Sequence, residues 1–95
     1  MSIVVFGKPN CPYCDRAKEL LHNKAYDFEY VDVAANPKNL ERMVVEVTEH
    51  TKFPPRTVPQ IIVDNKYVGG YTELVALNLP SNVNVDFTED DLGDL

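Results

Sequence analysis

The chain has only two cysteines, two histidines and, from Tyr67 to its last residue, no basic side chain at all. Each scarcity excludes something. Two cysteines with no secretory signal ahead of them point to a reducing cytosol, where a Cys-x-x-Cys pair is more often catalytic than structural. The apolar run Met1–Gly7 is too short for a signal peptide, and its charge follows the run instead of preceding it. No stretch approaches the roughly 20 apolar residues a membrane helix needs, so neither a span nor a membrane partner is expected. His22 and His50 lack the paired spacing of a zinc site and leave it short of four good ligands, so no metal is expected. Internal repeats, phosphate-loop or dinucleotide fingerprints and low-complexity segments are all missing.

The charge is lopsided. Through Lys66 nine bases balance nine acids, and the six acids that follow account for the net charge of −6. An acidic C-terminal third argues against nucleic acid or an anionic surface as partner. Lys8, Arg16 and Arg56 nevertheless remain near the cysteines, where they could hold an anionic substrate. Ninety-five residues make one domain with a small core. The expected division is a folded unit over 1–80 and an acidic tail over 81–95.

What the chain does have is Lys8-Pro9-Asn10-Cys11-Pro12-Tyr13-Cys14, followed at once by Ala17, Leu20 and Leu21 at helical spacing. Pro12 suits a first helical position, where a missing N–H costs nothing. Cys11 therefore falls at a helix N-terminus, where unpaired N–H groups and the positive dipole end favour an anion. A thiolate is such an anion, so the placement lowers the Cys11 pKa and makes it the attacking sulfur. Cys14, three residues on, lies on the same helix face within disulfide reach. So small a loop would contribute only about 2 kcal/mol to stability on the chain-entropy model. A bridge of that kind suits redox cycling. The same two residues could also be unrelated buried cysteines.

In order, Ser2–Gly7 reads as a buried central strand, Lys8–Asn10 as a loop, and the cysteine helix that follows runs to about Asn23. Asp27–Val33 alternates as a second strand with one wetter side, completing a parallel βαβ unit. Asn36-Pro37 starts a helix with a stripe of Leu40, Met43, Val44 and Val47, and Pro54-Pro55 ends it. Ile61–Val63 and Lys66–Val68 form a hairpin about Asp64-Asn65. Pro59, at the mouth of that strand, is a position open to the cis form. A last helix, with Thr72 as N-cap, turns Leu74, Val75 and Leu77 inward and stops at Pro80. The acidic 82–95 segment reads as a solvated tail or as a docking segment for a partner.

This β-α-β-α-β-β-α order, opened by Cys11-Pro12-Tyr13-Cys14, resembles the dithiol glutaredoxins of the thioredoxin-like superfamily. Arg56-Thr57-Val58-Pro59 resembles that family's Thr-Val-Pro segment. Gly69-Gly70-Tyr71-Thr72-Glu73 resembles its Gly-Gly motif, where aspartate is more usual than Glu73. The resemblance spans about residues 2–79. It implies an α/β thioredoxin-like fold, a four-stranded mixed sheet flanked by three helices, in a cytoplasmic, monomeric protein. It also implies a glutathione-dependent thiol–disulfide oxidoreductase that reduces protein disulfides and glutathione mixed disulfides. Cys11 would be the nucleophile and Cys14 the resolving thiol. Lys8, Tyr13, Arg56, Thr57, Val58, Pro59, Gly70, Thr72 and Glu73 would bind glutathione, with the Val58 backbone pairing to the ligand's main chain. Glutathione carries two carboxylates and an ammonium, which bases and Glu73 respectively suit. Partners implied are glutathione and disulfide-containing proteins, ribonucleotide reductase among them. The competing readings are a redoxin fed by thioredoxin reductase and an iron–sulfur cluster scaffold.

Overall fold

The computed structural model describes residues 1–82. Its elements are β1 (Ile3–Gly7), α1 (Pro12–Asn23), β2 (Glu29–Asp32), α2 (Pro37–Thr51), β3 (Gln60–Val63), β4 (Lys66–Gly69) and α3 (Tyr71–Leu77). They form one mixed sheet in the order β2-β1-β3-β4. β1 runs parallel to β2 and antiparallel to β3, and β4 closes the hairpin with β3. This is the thioredoxin-like architecture expected from the order of elements. The acidic segment from residue 83 onward lies outside the described residues.

β1 is apolar throughout because both its faces are covered. Ile3 and Val5 join Ala17, Leu21, Ile61, Val63 and Leu74 beneath α1 and α3, while Phe6 turns the other way to meet Val31, Met43, Val47 and Ile62 beneath α2. β2 is covered less completely, as its alternation suggests: Tyr30 packs on the first cluster and Val31 is buried in the second, while Glu29 is exposed and Asp32 half-buried. The strand is also shorter than Asp27–Val33.

The helices start where local chemistry asks them to. Asn36 Oδ1 accepts the Asn39 N–H at 2.9 Å and Pro37 takes the first helical position, so α2 has both signals of an N-terminus. Of the expected stripe, Met43 and Val47 are buried, Val44 is half-buried and Leu40 is exposed. The sheet face opposite offers Phe6, Val31 and Ile62, enough to cover the middle of the helix alone.

α3 departs further from expectation. Its N-cap is Gly70, not Thr72, because the Glu73 carboxylate reaches back to the Gly70 N–H at 2.8 Å and starts the helix at Tyr71. With seven residues it lays one side chain, Leu74, into the core; Val75 and Leu77 stay about half exposed. Asn78 ends it in the left-handed region at φ 53°, ahead of Pro80. That reversal buries Leu79, and the segment is then strapped to the α1–β2 turn. Lys24 donates to the Leu79 carbonyl, Tyr26 Oη to Pro80 O at 2.6 Å, and the Asn82 N–H to Lys24 O at 2.7 Å.

Candidate active site

Asn10, at φ 59°, adopts the left-handed conformation that asparagine tolerates better than most residues, and so turns the β1–α1 loop into the helix. Cys11 follows in extended conformation as the N-cap. Its sulfur sits where a serine or aspartate oxygen would cap a helix and accepts the Cys14 N–H at 3.2 Å, while its carbonyl accepts the Asp15 N–H at 3.0 Å. Pro12 occupies the first helical position as expected. Cys11 and Cys14 are joined as a disulfide across a Cα–Cα distance of 5.2 Å. Cys11 is 8% exposed and Cys14 not at all, so an incoming thiol meets the Cys11 sulfur first.

The segment after α2 brings its own atoms to the same place. The Val58–Pro59 peptide is cis, and the Val58 carbonyl oxygen lies 3.9 Å from Cys11 Sγ. Beside it Tyr13, Thr57, Val58, Pro59, Gly70, Tyr71, Thr72 and Glu73 enclose a pocket of about 170 Å³. Three separate stretches of sequence thus meet at the dithiol. Gly69 makes the approach possible: it sits at φ 122°, and a Cβ there would fall 2.9 Å from Glu73 Cγ.

Seven of the nine residues expected around glutathione line this pocket. Lys8 and Arg56 do not; both are exposed. Arg16, itself not a lining residue, holds its guanidinium 5.2 Å over the centroid of the Tyr13 ring. Tyr71 was missed as a site residue. Its ring lies 5.9 Å from that of Tyr13, tilted by 31°, so the two aromatics form one wall. The signal available was an aromatic directly after Gly69-Gly70, overlooked because it also opens a helix.

A larger groove, about 570 Å³, runs between β4 and α3 along Lys66, Tyr67, Val68, Ala76 and Leu77. It contains neither cysteine and meets the smaller pocket only at Glu73. The smaller one lies beside the reactive sulfur, since it is lined by Tyr13, between the two cysteines in sequence, and by Val58, whose carbonyl oxygen is 3.9 Å from Cys11 Sγ. Among the described residues no three His, Cys, Asp or Glu side chains gather as a metal site, and no helix is long and apolar enough to cross a membrane.

The glutaredoxin family model matches residues 3–68. The chain belongs to the glutaredoxin family. It is 42% identical over 81 residues to glutaredoxin 1 of Escherichia coli, covering 80% of this chain and 91% of that protein. The solution structure of reduced Escherichia coli glutaredoxin superposes with a TM-score of 0.62 at 38% identity, over 81% of this chain and 92% of that one. The dithiolic glutaredoxin of Trypanosoma brucei brucei gives 0.66 at 34% identity, over 80% and 75%. Glutaredoxins are thiol oxidoreductases, and Cys11–Cys14 is the redox-active pair of the CPYC type.

Proposed function

We propose that the chain is a glutathione-dependent disulfide oxidoreductase acting on protein disulfides and on glutathione mixed disulfides. The observation that carries this is the juxtaposition of a helix-capping sulfur with a pocket walled by Thr57-Val58-Pro59 and Gly70–Glu73. The pocket offers the Val58 backbone beside the cis Pro59, two aromatic rings, a hydroxyl at Thr72 and a carboxylate at Glu73. A small peptide with an ammonium and carboxylates can use all of these.

In the reduced protein the Cys11 thiolate is held by the Cys14 N–H and the first turn of α1. It attacks one sulfur of the substrate disulfide. A new bond forms to Cys11 Sγ, the substrate S–S bond breaks, and the second sulfur leaves as a thiolate that takes a proton from solvent. Two routes finish the cycle. Deprotonated Cys14 can attack Cys11 Sγ, releasing the bound thiol and leaving the Cys11–Cys14 disulfide, which two glutathione thiols then reduce in turn as glutathione disulfide forms. Alternatively, when glutathione is the group bound to Cys11, a second glutathione thiolate displaces it directly. Burial of Cys14 matches an intramolecular role, since no bulky disulfide can reach it.

The proposal places the protein as a monomer in a reducing compartment such as the cytoplasm, with ribonucleotide reductase as one protein disulfide to try. The test is NADPH oxidation with a small disulfide, coupled through glutathione and glutathione reductase or through thioredoxin reductase. Turnover through glutathione alone is the expected result. Turnover through thioredoxin reductase alone would keep the dithiol and discard the glutathione pocket.

A further inference from the structure

Gln60 is the one polar residue buried among the core side chains of the described residues, 6% exposed at the start of β3. Its amide is fully engaged. Nε2 donates to the Thr57 carbonyl at 2.9 Å and to Thr57 Oγ1 at 3.3 Å, and Tyr67 Oη donates to Oε1 at 2.6 Å. The Thr57 carbonyl accepts only, so it demands the NH2 side of the amide. That leaves the carbonyl side facing Tyr67, whose hydroxyl must then be the donor. The Thr57 carbonyl thus sets which way the Gln60 amide points, and the Tyr67 hydroxyl on β4 holds the amide's other end, tying the Thr57 peptide to the outer strand.

We propose that Gln60 and Tyr67 are positioning residues that hold the Thr57–Val58 backbone in register for a peptide-like substrate at Cys11. The distances run in sequence from the outer strand to the chemistry: Tyr67 to Gln60 at 2.6 Å, Gln60 to Thr57 at 2.9 Å, and Val58 O to Cys11 Sγ at 3.9 Å. Thr57 and Val58 both line the pocket, whereas Gln60 and Tyr67 do not. They act through another residue. Tyr67 keeps its proton comfortably: burial, aided by the Glu73 carboxylate, raises its pKa above that of an ordinary phenol. A buried amide that lost either partner would leave a polar atom unpaired.

The inference rests on the glutathione reading above, because it assigns the held backbone to pairing with the ligand's main chain. The test uses the reduced full chain in stopped flow with two aliphatic disulfides, glutathione disulfide and bis(2-hydroxyethyl) disulfide, the second lacking any peptide backbone. Tyr67→Phe and Gln60→Met are expected to slow the reaction with glutathione disulfide about tenfold, equivalent to about 1.4 kcal/mol. The reaction with the backbone-free disulfide stays at the wild-type rate. Tyr67→Phe removes one hydroxyl from a side chain that is 36% exposed, and so guards against a Gln60 variant that fails to fold. Equal slowing with both disulfides, or none with either, would overturn the positioning role. A wild-type protein that itself shows no preference for glutathione disulfide would overturn the glutathione reading, a different and separable result.

Discussion

The backbone N–H of Cys14 donates to the sulfur of Cys11 at 3.2 Å, so the more deeply buried cysteine supports the other before its own sulfur reacts. The support comes from the peptide, not the side chain. Replacing the Cys14 side chain leaves that N–H in place, which separates the two roles of the residue: stabilising a thiolate and resolving a mixed disulfide.

Cys11→Ser is accordingly expected to lose all disulfide reduction. Cys14→Ser keeps the glutathione route and loses the route that needs an intramolecular attack. Activity on a glutathionylated peptide and on a protein disulfide, compared in both variants, checks this. In Cys14→Ser the Cys11 thiolate, followed by its ultraviolet absorbance, should form with a midpoint below the roughly 8.5 of a free thiol. Equal loss in both variants would sink the division of roles.

Glu73 caps α3 through Oε1 on the Gly70 N–H at 2.8 Å and also borders the pocket. Two substitutions separate these duties. Glu73→Ala removes the cap and should cost about 1 kcal/mol in urea denaturation. Glu73→Gln keeps an acceptor for Gly70 but no charge, so stability stays near wild type while KM for a glutathionylated substrate rises. An unchanged KM in Glu73→Gln would show that the carboxylate serves the helix alone.

Gly7 backs onto the ring of Tyr30 so closely that an added Cβ would overlap the phenol, with ring carbons at 2.9 and 3.0 Å. Lys18 Nζ sits 4.1 Å over the same ring. Gly7→Ala should lose about 1–3 kcal/mol by overpacking. In a Tyr30→Phe background the loss should shrink, because the hydroxyl is the nearest obstacle. A double-mutant cycle by thermal denaturation measures the coupling, and strict additivity would contradict it.

Arg42 ties β2 to α2. Its guanidinium meets both oxygens of Glu29 at 2.7 and 3.1 Å, and its Nε meets Glu46 at 2.7 Å. The hydrogen bond from Arg42 holds the Glu29 carboxyl below its ordinary value of 4.5. A depressed folded-state pKa contributes stability that is complete above 4.5 and disappears as pH falls through the folded value. Because the pair is partly exposed, Glu29→Gln should cost no more than about 1 kcal/mol at pH 7. The wild-type and variant stability curves should converge in acid below the folded pKa of Glu29. A constant gap down to that pH would mean the ion pair is not the cause.

Much of the molecule was legible because it is local. The Pro12 and Pro37 helix starts, the Asp64-Asn65 turn and the unbroken apolar runs of β1 and β3 follow from backbone preferences and periodicity within a few residues. The less legible parts depend on what lies across space. Leu40, Val75 and Leu77 have the spacing of core residues but no partner surface large enough to cover them, while Leu79 is buried only because Asn78 turns the chain back. Thr72 looks like a cap in sequence, and Glu73 overrules it by reaching Gly70.

The sequence by itself determined the order of elements, the reactive pair and its place on a helix cap, since each is decided by neighbours along the chain. Only the tertiary structure decided which residues wall the pocket: it brought in Tyr71, placed Arg16 over Tyr13, left Lys8 and Arg56 outside, and joined Gln60 to Tyr67. The reason is geometric. A strand's register and a helix's rotation set which side chains meet, and both are settled by packing the two faces of one sheet at once.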